Sequence, residues 1–243
     1  MPKNINSASR VHSLLQQTSS EAENTQILEV WAKLFSIKES NLNLKAVLVS
    51  ERLRWIYKEL ELITTQMRDS NFSESLYADA ITNVEHAIST MILSAGWSNS
   101  KQYLRPETLK ALEFCSEILP DEESQISPDE LMQIQKLVDE LSESLTKSKL
   151  PPRLIALIKH HIELIERALA EYPITGAKAL REVARTGLGE IIEIKDEVST
   201  SQDAPEISKL GELWKTVNKY TDAALKIEGL AQLAETIKTL LGG

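Results

Sequence analysis

The sequence predicts an all-α protein, a bundle of long antiparallel helical hairpins with heptad-like stripes and a C-terminal amphipathic helical segment. Leu42, Ala46, Val49, Leu53, Ile56, Leu60, Ile63 and Met67 alternate in steps of four and three, a 3.5-residue period that turns one narrow face toward a neighbouring helix. The same spacing recurs at Tyr77, Ile81, Val84, Ile88, Met91 and Ala95. Eight glycines and eight prolines in 243 residues, with 5% aromatics, are too few for the turns and strands of a sandwich or barrel.

Taken in order, an amphipathic stretch at 8–17 is followed by Ser20-Glu21-Ala22-Glu23, a capping-box spacing that predicts a helix over 21–36. The long stripe at 42–67 ends at Asp69-Ser70-Asn71, whose side chains compete for backbone hydrogen bonds. The next helix is expected from Ser73 to Ala95, with Gly96 as its cap and an antiparallel hairpin joining the two stripes. A helix at 106–119 runs into the acidic loop Pro120–Ser124.

Ser127-Pro128-Asp129-Glu130 combines an N-cap serine, a proline at the first helical position and a glutamate at the third. It opens a helix striped by Leu131, Ile134, Val138, Leu141 and Leu145. Leu150-Pro151-Pro152 stops that helix and starts another, and these two are expected to form a second hairpin. A helix at 175–196 follows, with Ala177, Gly187 and Gly189 leaving room for a close neighbour. The expected organisation is an N-terminal helical region at 1–120, a hairpin plus helix at 121–198, a linker at 199–205 and a C-terminal segment at 206–243. In that last segment Ile207, Leu210, Trp214 and Val217 lie on one helical face, whereas Ile227, Leu230, Ile237 and Leu241 fall almost opposite, the change coming near Gly229.

A formal charge of −9 repels phosphate before local contact forms, which disfavours general binding to nucleic acid or anionic membranes. The single Cys115 permits neither an intrachain disulfide nor a thiolate zinc site, and the N-terminal residues lack the apolar core of a secretory signal. A cytoplasmic location is expected. No two histidines stand three or four apart, and no glutamate lies three residues before a histidine, so neither metal nor cofactor is expected. Cys115 reads as a buried thiol.

Charge is segregated along the chain. Residues 113–143 hold ten acids and one base, and 146–189 hold eight bases and four acids. The blocks are expected to pair with each other and with solvent, and Lys147, Lys149, Arg153, Lys178, Arg181 and Arg185 mark a candidate docking patch for an acidic protein surface or an RNA backbone, the RNA version lacking interleaved aromatics. Trp214, Ile227, Leu230, Ile237 and Leu241 complete the candidate interaction residues. The expected function is non-enzymatic: an adaptor, regulator or assembly subunit that associates with itself as a homo-oligomer or with another helical protein. Membrane activity through the C-terminal segment is the first alternative. Its five acids and five bases give that segment no cationic bias toward lipid.

The stretch from Leu150-Pro151-Pro152 to Arg181 resembles segments of uncharacterised bacterial all-helical proteins, which implies the helical class and no activity. Arg153 and His160, six residues apart, resemble the arginine–histidine motif of HEPN ribonucleases. Those are helical and place the motif across a dimer interface, so the resemblance implies RNA cleavage as a further alternative. Leu154 departs from it, standing where that family usually has a polar residue.

Overall fold

The computed structural model describes residues 5–122, 125–193, 197–198, 201 and 204–221. These residues are all-helical apart from turns and one isolated β-bridge, and they fall into two compact units. The first unit comprises 1–124 with 173–176, and the second 125–172 with 177–243.

The first unit contains α1 (Ser7–Thr18), α2 (Ile27–Leu34), α3 (Leu42–Arg68), α4 (Ala78–Ala87), the single turn α5 (Ser98–Lys101) and α6 (Pro106–Ile118). Asn6 starts α1 by a reciprocal cap: its side chain accepts the Ser9 amide, and the Ser9 hydroxyl accepts the Asn6 amide. The Asn6 amide group also donates to the Ser116 and Leu119 carbonyls, which ties α1 to the end of α6. Trp31, Trp55 and Trp97 are buried in the core with the stripe of α3 from Val49 onward.

Two expected helices are shorter than their apolar periodicity suggests. The helix expected at 21–36 is confined to α2, because residues 23–28 run beside 93–98 and spend their backbone groups there. Ile27 N–H donates to the Ala95 carbonyl (2.9 Å), Leu28 N–H to that of Leu93 (3.0 Å) and Trp97 N–H to that of Thr25 (2.7 Å). A side chain at Gly96 would stand 3.3 Å from the Glu23 carbonyl oxygen, so this glycine permits the pairing and caps no helix. The helix expected at 73–95 breaks into a 3-10 turn at Glu74–Leu76, α4 and a second 3-10 turn at Thr90–Ile92, before the paired stretch begins at Leu93. Met91 is consequently 92% exposed, and Leu42, at the head of the α3 stripe, is also exposed.

The second unit holds α7 (Pro128–Leu145), α8 (Pro152–Thr175, the last three residues belonging to the first unit), α9 (Ala177–Glu193) and α10 (Pro205–Thr221). The cap of α7 forms as its sequence dictates: Ser127 Oγ accepts the Glu130 amide while the Glu130 carboxylate accepts the Ser127 amide. The Tyr172 hydroxyl, near the end of α8, bonds both the amide and the carbonyl of Ile126, just before α7. Along α10, Lys209 donates to the Glu140 carbonyl and Tyr220 to the Gln133 side chain, so α10 runs antiparallel to α7. Ile207, Leu210, Leu213, Trp214 and Val217 therefore share one core with α7, α8 and α9, and 206–221 does not stand apart as a separate segment.

Candidate functional site

The polar centre of the second unit is a chain of three side chains drawn from three helices. His161 on α8 is fully buried, as is Trp214 on α10, and Glu190 on α9 is half-buried. Trp214 Nε1–H donates to His161 Nδ1 at 3.1 Å, and His161 Nε2 lies 3.0 Å from Glu190 Oε2. An indole nitrogen only donates, so Nδ1 must be the unprotonated acceptor. The proton therefore resides on Nε2 and is donated to the carboxylate, a neutral tautomer held at both ends.

Gly187, one turn before Glu190 on α9, makes room for the indole. A β-carbon built on it would lie 2.3 Å from Trp214 Cζ2 and 2.7 Å from Cη2. The gap left by this small residue, expected to admit a neighbouring backbone, admits an aromatic ring.

Burial pushes the His161 pKa below the ordinary 6.5, the neighbouring charge of His160 acts the same way, and the Glu190 bond offsets only part of this. A histidine whose folded pKa is depressed binds fewer protons in the native than in the unfolded state. Its stabilisation is thus fully present above pH 6.5 and is lost as pH falls from there through the folded value. His12 in the first unit is lowered chiefly by burial as well, so total stability falls in the same direction. Urea unfolding at pH 7.0 and 5.5 isolates His161: its replacement by Gln is expected to lower stability at pH 7.0 yet shrink the loss between the two pH values. An undiminished loss would show that His161 does not titrate with unfolding.

The residues singled out by sequence occupy separate settings. His160 is half-exposed with Nε2 3.4 Å from Glu190 Oε1, so one carboxylate faces two imidazoles. Arg153 pairs instead with Glu197. Arg181 is half-buried and Arg185 exposed on α9, the latter facing solvent at the surface of its helix. Trp214, a candidate surface contact by its sequence, is a core residue. Ile227, Leu230, Ile237 and Leu241 lie outside the described residues, as does Gly229.

A second buried polar cluster was not foreseen. In the first unit Arg10 Nη2 lies 3.0 Å from Glu59 and 2.7 Å from Glu122, and Nε donates to the Ile174 carbonyl. Glu122 Oε1 in turn accepts the Ser7 amide and hydroxyl. Burial alone would raise the Glu122 pKa, but the bonds and charge of Arg10 and the Ser7 donors outweigh it and hold the carboxyl below 4.5. Cys115 is fully buried and its thiol is pushed up to about 11 by desolvation, which leaves it protonated at neutral pH.

Among the described residues no group of three or more His, Cys, Asp or Glu side chains is arranged to hold a metal ion, and no helix is long and apolar enough to cross a membrane. No family model matches the chain, and no curated protein or solved structure matches it significantly.

Proposed function

We propose that this chain acts by association, without catalysis, and that the amino-terminal end of α3 joins it to a second copy of itself. The supporting observation is the apolar cluster Leu42, Leu44 and Val47, which are 62%, 53% and 63% exposed at the start of a helix whose remaining stripe is buried. Adjacent exposed aliphatics mark interaction surfaces more often than scattered ones do. Over 42–48 the only charged residue is Lys45, and its ammonium is matched by Glu29 at 2.9 Å. Two copies of a chain carrying −9 repel each other over most of their surface. A patch without net charge is where they approach at least cost, which favours self-association over capture of a charged partner.

The histidine geometry is consistent with this reading. His161 has both ring nitrogens engaged, and Arg153 and His160 each face a different carboxylate.

Light scattering across a concentration series tests the proposal with the double variant Leu44→Glu, Val47→Glu. The parent is expected to exceed the monomer mass of 27.2 kDa and the variant to return to it with unchanged helical content. A monomeric parent, or a variant of undiminished mass, would refute the assignment. RNA cleavage abolished by His160→Ala would replace it with the nuclease alternative.

A further inference from the structure

His161 joins α8 to α9 through one ring nitrogen and α8 to α10 through the other, and the two links answer an added proton in opposite ways. Nε2–H donates to Glu190 on α9, and an imidazolium donates there more strongly because both partners are then charged. Nδ1 accepts the Trp214 indole on α10, and once protonated it can only donate. Two N–H groups would then face each other at 3.1 Å, since an indole nitrogen has no lone pair to offer. The two side chains are 0% and 1% exposed, so both donors stay orphaned for as long as α10 remains in place. The ring itself has no room to turn aside, being seated so close to Gly187 that a β-carbon there would lie 2.3 Å from Cζ2. Relief therefore comes by moving the helix.

The surroundings concentrate the effect at this one contact. The ionisable groups that act on His161 are Glu190 on α9 and His160 on its own helix. Toward the same core α7 turns the apolar Ile134, Val138 and Leu141, and the charged Glu212 and Lys215 near Trp214 on α10 are exposed. Two further side-chain bonds hold α10 to α7, from Lys209 to the Glu140 carbonyl and from Tyr220 to the Gln133 amide oxygen. Neither acceptor takes up a proton in mild acid.

We propose that His161 is an acid-operated latch: its protonation tightens α8 on α9 and releases α10, uncovering the apolar face that carries Ile207, Leu210, Leu213 and Val217. The depressed pKa of His161 gives the direction. With α10 docked the ring binds fewer protons than with α10 released, so the latch is fully closed above pH 6.5 and yields as pH falls from there. The device belongs to the second unit and works whether or not the exposed end of α3 pairs with a second copy.

Amide hydrogen exchange of the full chain, read by NMR and corrected for the intrinsic rate at each pH, tests it. The opening constant of amides at 207–217 is expected to rise about fivefold between pH 7.0 and 5.5. At pH 5.5 it should exceed that of amides at 134–141 and 180–188 by at least about tenfold, the mark of a helix that opens while its neighbours stay folded. His161→Gln removes the titrating ring and should abolish the rise. Trp214→Phe removes the opposing donor and should reduce it, each variant being compared with its own protection at pH 7.0. An α10 that opens only together with α7 and α9, or a rise undiminished in either variant, would overturn the inference.

Discussion

Gly187→Ala is expected to destabilise the second unit by about 3 kcal/mol, although alanine is the better helix former by ~1 kcal/mol. The added methyl would stand 2.3 Å from the Trp214 ring, and that ring has nowhere to go. It is 1% exposed and anchored through Nε1 to His161. Displacing it overpacks the core and parts a buried donor from a buried acceptor, two effects of roughly 1–3 kcal/mol each. Gly189→Ala supplies the control in the same helix. Nothing lies within 4 Å of a β-carbon there, so this change should be neutral or stabilise by up to ~1 kcal/mol. Urea unfolding of both variants decides the matter. Equal midpoints would mean that the indole does not rest on Gly187.

Leu53→Asp is the counterpart in the first unit, where the expected loss is at least about 4 kcal/mol. Leu53 is fully buried in α3 among the apolar residues of the first core. Lost burial and a desolvated charge add together. Leu53→Met retains volume and polarity and should cost less than ~1.5 kcal/mol. Circular dichroism with urea titration measures both, and an aspartate variant melting with the parent would show that the α3 stripe is not core.

Local rules read some helix starts and missed others: the Ser20–Glu23 spacing opens no helix, α2 beginning only at Ile27, and the helix expected from Ser73 begins at Ala78. Ser127 and Glu130 form the box that their spacing dictates, and Pro106, Pro128 and Pro152 each stand at a first helical position. These features depend on a few neighbouring residues. The overextended helix at 21–36 failed for a nonlocal reason: the backbone of 23–28 found partners at 93–98, and apolar periodicity carries no record of such pairing. Leu42 illustrates the same limit, since a stripe announces a face but not how far its partner extends.

The polar centre was less legible still. His161 is 53 residues from the indole that bonds it and 29 from its carboxylate, spacings that match no local template. Gly187 held the one usable signal, a small residue inside a helix, which announces close approach without naming what approaches. Arg10 was likewise silent, because its carboxylates lie 49 and 112 residues away.

The arrangement of Trp214, His161 and Glu190 is most directly measured by nitrogen NMR of the imidazole rings at neutral pH. Four histidines give four spin systems. For His161 the expected result is the neutral Nε2–H tautomer, with Nδ1 showing the shift of an unprotonated acceptor and the Trp214 indole proton protected from exchange. An Nδ1–H tautomer, or an imidazolium at pH 7 beside a rapidly exchanging indole, would contradict the closed hydrogen-bond chain and return His161 to the inventory of groups available for chemistry.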